Sequence, residues 1–429
     1  MSVAKVKLWG RQIGAVSWDK NLEIANFEYN PDFVASNIEI SPFMMPLKRQ
    51  IYSFRALPKE TFYGLPGMLA DSLPDNFGNK LINTWLVNKG ETIDSFNPVD
   101  RLCYVGKRGM GALEFEPSNS TYNISEQINI DELVKISNDI LNDKYKIKGS
   151  FSNDYREKTL QNILSVGTSA GGARAKAIIA WNPKTNEVRS GQINQNSNFS
   201  YWILKFDGIS ESNQLSSTKR YGLIEYAYYL MATSAGILMS ESRLLKENGR
   251  YHFLTKRFDR KENGEKLHMQ SFAALEHLDY KQAGVYSYEQ VFMSIKKLNL
   301  NMETLEEQFR RMVFNILARN QDDHVKNIAF LMNKSGEWSL SPAFDITYNY
   351  NPNGVWTGVH QMSLNGKRDN FNMSDFINCG KRFSFKRGAV IEIIQQVSEA
   401  LSNWKNFASV AGIAPDIVDA ISKHHKKIL

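Results

Sequence analysis

The chain has 429 residues, 42% of them hydrophobic, enough to bury two or three separate cores. Its formal net charge of +7 is a mild basic excess that suits an acidic ligand or a nucleic-acid neighbour and establishes neither. With only Cys103 and Cys379, distant in sequence, there is no disulfide framework and no cysteine-rich zinc pattern, so a reducing cytosol is expected.

Residues 1–60 read as short strands joined by turns ("KVKLWG", "IGAVSW", "LEIANFEY"), and the first of them lacks the apolar core of a signal peptide. "FYGLPGMLADSLPDNFGNKLINTWL" (62–86) mixes Gly-Pro turns with a helix that Asp75 or Asn76 could cap. A polar connector, 116–133, leads into another helix. From about 160 to 206 the pattern becomes β: "QNILSVG", a Gly-rich bend, "AKAIIAW", a turn, then "YWILKF". A helix is expected at about 219–236 and a strand at 251–258. The uncharged stretch 226–240 is 15 residues long, short of the roughly 20 a membrane span needs, and reads as a buried helix. Beyond about 270 the chain is mostly helical. Leu305, Phe309, Met312, Val313, Ile316 and Leu317 share one helical face, and helices at 387–407 and 415–427 close the chain.

The chemistry concentrates in "ARNQDDHVKNIAF" (318–330). Asp322 is followed five positions later by Asn327, then by a predicted hairpin (328–332 and 337–342), then by Asp345 in "AFDITY". A carboxylate, an amide, a hairpin and a second carboxylate form the layout by which protein kinases orient a hydroxyl and hold Mg²⁺. The five-residue spacing selects Asp322 over its neighbour Asp323 as the base, and Asp323→Ala is expected to keep substantial activity. Upstream lie, in the order a kinase needs, the Gly-rich "GTSAGGARAK" (167–176), Lys205 within "YWILKF", and Glu225 on the next helix as its candidate partner. Taken singly, each has a plainer reading: a turn, a solvent-facing strand lysine, a capping charge. The bend is not a Walker A loop, and the histidines outside 318–330 form no zinc-like spacing. The order of the pieces carries the reading.

"GLPGMLADSLPDNFGNKLI", "SAGGARAKA", "FLTKRFDR", "NQDDHVKNIAFL" and "LSPAFDITY" resemble, in order, the motifs of HipA-like serine/threonine kinases of bacterial type II toxin–antitoxin systems. The resemblance implies an α+β, protein-kinase-like bilobal fold with a small N-terminal β-rich subdomain (1–115), a kinase N-lobe (116–260) and an all-helical C-lobe (261–429). It makes Asp322 the proton acceptor, with Asn327 and Asp345 as Mg²⁺ ligands. It assigns nucleotide contacts to Gly171, Gly172, Ala173, Arg174, Ala175, Lys176 and Lys205, to Lys256, Arg257 and Phe258 as adenine hinge, and to His324, Val325, Lys326, Asn327, Phe344 and Asp345. Ser169, at the head of the Gly-rich segment, matches the serine that family members autophosphorylate. The implied cofactors are ATP and Mg²⁺. The implied partners are a small helix-turn-helix antitoxin, operator DNA reached through it, and an aminoacyl-tRNA synthetase as substrate, classically the glutamyl enzyme. The basic runs 381–388 and 423–427 could lie near DNA or simply be solvated helix ends. A pseudokinase corepressor and a small-molecule phosphotransferase are the competing readings; the intact Asp322, Asn327, Asp345 and Lys205 weigh against the first.

Overall fold

The computed structural model describes residues 2–118, 127–141, 162–164, 166–167, 175–192, 195, 198–209 and 221–427. The N-terminal alternation forms an antiparallel sheet of β1 (Val3–Leu8), β2 (Arg11–Asp19), β3 (Ile24–Tyr29), β4 (Ile51–Tyr52) and β5 (Leu113–Glu116), ordered β4-β3-β2-β1-β5. Ala4, Val6 and Leu8 of β1 point inward as the period of two requires, into a core shared with Phe27, Phe115 and Leu102.

A second antiparallel sheet, ordered β7-β6-β8-β10-β9, contains β6 (Lys176–Asn182), β7 (Glu187–Ser190), β8 (Ser200–Lys205), β9 (Ser242–Glu247) and β10 (Arg250–Lys256). Every residue of β6 is buried, which explains its unbroken apolar run. Helix Asn76–Asn88, capped by the Asp75 side chain on the Gly78 N–H, packs into this second core through Phe77, Leu81 and Trp85. That helix, expected with the N-terminal subdomain by sequence position, therefore belongs by packing to the next layer. Residues 162–164, expected in a strand, are helical instead: Ile163 and Leu164 bury against the same core.

The C-terminal part is built on helices Tyr221–Ser234, Tyr288–Lys297, Met302–Leu317, Met373–Arg382 and Arg387–Ser402, with Trp404–Ala411 and Pro415–Ser422 after a break at Asn403. Their apolar faces share one core. The expected hairpin is present as β12 (Ala329–Met332) and β13 (Trp338–Leu340), and β11 (His268–Ser271) joins it as a third strand. This lobe is therefore helical around a small sheet, not all-helical: the free edge of β12 needs a hydrogen-bonding neighbour, and β11 pairs with it. No described helix is long and apolar enough to cross a membrane.

Candidate active site

The pairing of β6 with β8 sets Lys176 opposite Lys205, and opposed residues of an antiparallel pair share one face. Two buried ammonium groups side by side repel unless carboxylates face them. Here Lys205 Nζ lies 2.5 Å from Glu225 Oε1 and also contacts Asp345 Oδ1. Glu225 is buried on helix Tyr221–Ser234, so the pair fastens the second sheet to the helical core. Burial opposes the charge on Lys205, but Asp345 and Glu225 outweigh it and lift the ammonium above the ordinary lysine value. Burial likewise pushes the Asp345 carboxyl up, while Lys205 and then Lys176 pull it down to about 2. Lys176 stays below the ordinary lysine value because burial outweighs the attraction of Asp345 and Asp75. Asp345 and Lys205 are thus both ionised across the neutral range.

Asp345 is placed by its neighbours. The Ala343 N–H donates to Leu238 O at 2.8 Å, and the Phe344 ring packs on Phe258 with centroids 5.7 Å apart. Asp345 itself adopts φ 53°, a left-handed conformation that aspartate tolerates better than most residues and that often marks functional positions.

The twin aspartates meet opposite environments. Helix Met302–Leu317 ends at Ala318, Arg319 turns the chain with φ 58°, and a short 3₁₀ turn, Val325–Asn327, leads into β12. Asp323 points into the protein. Its Oδ2 accepts from Tyr288 Oη at 2.5 Å and lies 2.8 Å from His360 Nδ1, while its Oδ1 accepts from the Gln361 N–H at 2.7 Å. Burial would raise its carboxyl, but His360 and these donors leave it below the ordinary carboxylate value. Asp322 faces the other way, towards solvent. Its side chain is 36% exposed, and its Oδ1 accepts from Trp356 Nε1 at 2.6 Å. Its Oδ2 accepts no hydrogen bond among the described residues. Asp323 thus carries an anchoring role that its spacing did not suggest: truncating it would strand a buried phenol, an imidazole and an amide N–H.

Asn327 donates its Nδ2–H to the Asp322 carbonyl at 2.8 Å, which leaves its Oδ1 accepting nothing among the described residues. The second oxygen of Asp345 likewise accepts no hydrogen bond among the described residues. Both residues line one small cavity with His324, Phe344 and the buried Asp323, while Asp322 lies outside its lining. Two hard oxygen donors in one cleft fit Mg²⁺, which keeps several waters and takes its remaining ligands from phosphate.

The other sequence candidates fall into three groups. Ser169, Gly171, Gly172, Ala173 and Arg174 lie outside the described residues; Ala175 is buried at the entry to β6 and accepts from the Phe206 N–H at 3.2 Å. In the hinge segment, Lys256 is half-buried and 3.8 Å from Glu262. Arg257 turns inward, its guanidinium bound to both Asp259 oxygens at 2.8 and 2.7 Å, so only its backbone can reach a ligand. On the loop, Val325 is buried, Lys326 Nζ sits 4.9 Å over the Tyr280 ring, and His324 lies between Tyr280 and Trp356 with its pKa lowered by burial. Sequence reasoning missed Tyr288, Trp356, His360 and Gln361. The one visible signal was an isolated tryptophan in the polar run "NYNPNGVWTGVH".

A lysine on a central strand, a glutamate on the adjoining helix, and an Asp-x₄-Asn loop followed by a hairpin and a second Asp place the chain with proteins of kinase-type fold. Family models give the relationship its name: residues 4–116 match the HipA N-terminal domain and residues 168–404 the HipA-like C-terminal domain. The chain belongs to the HipA-like family. It superposes on HipA from Shewanella oneidensis MR-1, solved with HipB and its operator DNA, with a TM-score of 0.65 at 16% identity, covering 98% of this chain and 94% of that one. It also aligns with the Helicobacter pylori proinflammatory kinase CtkA over 53% of this chain and 90% of that one, at 15% identity and a TM-score of 0.32. No curated protein matches the chain by sequence.

Proposed function

We propose that the chain is an ATP- and Mg²⁺-dependent serine/threonine protein kinase acting as the toxin of a type II toxin–antitoxin system. The observation that carries this reading is the Lys205 ammonium held between Glu225 and Asp345, with Asp345 and Asn327 lining the same cavity. Lys205 and Lys176 offer positive charge to the phosphates of ATP. Asn327 and Asp345 would hold Mg²⁺, which supplies neutralisation of phosphate charge. The substrate hydroxyl oxygen bonds to the γ-phosphorus as the bond from that phosphorus to the ADP oxygen breaks, and the hydroxyl proton passes to Asp322 Oδ2. The hinge 256–258 would take the adenine against Phe258 and Phe344.

The substrate we propose is an aminoacyl-tRNA synthetase such as the glutamyl enzyme, whose modification would halt translation and growth in the cytoplasm. The likeness to a HipA solved with HipB and DNA supports a helix-turn-helix antitoxin as partner, with DNA reached through it. Autophosphorylation at Ser169 would switch the enzyme off by placing about −1.5 to −2 charges beside the bound triphosphate. The test is transfer of labelled γ-phosphate to glutamyl-tRNA synthetase and to the chain itself, with and without chelator. Mg²⁺-dependent labelling that is absent in Asp322→Ala is expected; a chain that binds no ATP would overturn the reading and favour a corepressor without catalysis.

A further inference from the structure

We infer that Trp356 is a positioning residue for the base, orienting Asp322 through its indole N–H; the inference rests on the assignment of Asp322 above. One short segment grips both members of the twin. Trp356 Nε1 donates to Asp322 Oδ1 at 2.6 Å, while His360 and the Gln361 N–H hold Asp323 at 2.8 and 2.7 Å. The Gln361 side chain also donates to the Trp356 carbonyl, tying the two ends of the segment together. The Asp323 anchor is buried and fixes where residues 360 and 361 sit relative to the loop. From that fixed point the chain runs back to Trp356, whose ring lies near His324 at 6.3 Å between centroids.

The consequence for chemistry is directional. A carboxylate on a half-exposed side chain can rotate, and only some of its orientations present an oxygen to an incoming hydroxyl. Occupying Oδ1 with a short N–H donor removes that rotation and leaves Oδ2 to take the proton. Tryptophan suits this role because indole nitrogen is a donor only, so it cannot reverse the bond or compete for the proton.

An opposite role is available to the same contact, since an indole over the base could block the substrate. The two roles predict opposite signs. Trp356→Phe keeps an aromatic ring and removes the donor; it is expected to lower kcat about tenfold or more while KM for ATP changes less than about twofold. Trp356→His, which restores an N–H, is expected to recover part of the loss. In the Asp322→Asn background, Trp356→Phe should have no further effect, since the residue acts through that carboxylate. A Trp356→Phe enzyme as active as the wild type, or more active, while Asp322→Asn is dead would overturn this inference and leave the base assignment standing. An active Asp322→Asn enzyme would overturn the assignment and the inference with it. Should Trp356→Phe not fold, ¹⁵N-indole spectra of wild type and Asp322→Asn answer independently of activity. One indole proton is expected to move strongly between them, and eight unmoved indole resonances would overturn the contact.

Discussion

On the strand side of the cleft Lys205 and Lys176 face Glu225 and Asp345, and charge is held by charge. On the loop side the two aspartates are held by N–H and O–H donors from Trp356, Tyr288 and Gln361, with the His360 ring against Asp323. The contrast fits what the proposed function asks of each side. A cluster of opposite charges tolerates small displacements because Coulomb attraction falls off gently with distance, so it can rearrange when phosphates and a cation arrive. Hydrogen bonds weaken steeply off axis, so they fix direction, which a proton acceptor needs. Burial divides the loop once more: of two neighbouring identical side chains, Asp323 is buried and anchors the loop, and Asp322 is the partly exposed one to which the proposed function assigns the proton.

A third charged cluster starts within the hinge segment 256–258. Asp259 is fully buried between Arg257 and Arg260 and accepts the Gly111 N–H at 2.7 Å, joining the chain after β10 to the turn before β5. Asp259→Ala leaves two buried guanidinium groups uncompensated and should cost about 3–5 kcal/mol of stability, measured by urea unfolding. Lys205→Ala breaks the strand side itself. It should lower phosphate transfer about 10²–10³-fold, as removal of one preorganised electrostatic group does, and abolish the thermal stabilisation given by ATP with Mg²⁺. On the loop side, Tyr288→Phe removes one donor from a buried carboxylate and should cost about 1.5–3 kcal/mol, with activity falling only as far as the loop loosens.

The most gradual effect is in pH. His268 is fully buried in β11, and burial lowers its pKa from 6.5 to about 4. Between those values the unfolded chain binds the proton and the folded chain does not, so stability falls as pH drops through that window. The expected slope is about 1 kcal/mol per pH unit, with the contribution present in full above pH 6.5 and lost towards pH 4. His268→Gln should lower the slope by that amount in urea titrations at a series of pH values, leaving the contributions of His277 and His425, which burial lowers to about 4 as well.

Much of the site was legible in the sequence because its members keep short, fixed spacings. Asp322, Asn327, the hairpin and Asp345 lie within 24 residues on consecutive elements, so order alone suggests proximity. Lys205 and Glu225 follow the same logic, one on a strand and the other on the helix after it. The clamp was not legible, because Trp356 and His360 reach the twin aspartates from 34 and 37 residues downstream, through irregular backbone that carries no periodicity. The inward turn of Arg257 was hidden for a related reason: its partner Asp259 sits two residues on, a spacing that in a regular strand would suggest a surface pair. The third strand of the small sheet escaped because "LHMQS" is too short to announce itself and pairs with a strand some sixty residues later.

The division of roles between Asp322 and Asp323 is open to parallel measurement of phosphate transfer and thermal unfolding on Asp322→Asn and Asp323→Asn. Asp322→Asn should lose transfer by about 10²–10⁴-fold with its unfolding midpoint nearly unchanged, because its side chain contributes little packing. Asp323→Asn should unfold several degrees lower, as expected when a buried, hydrogen-bonded charge loses its match to His360. A stable Asp323→Asn protein without activity, beside an Asp322→Asn protein that still transfers phosphate, would contradict the account.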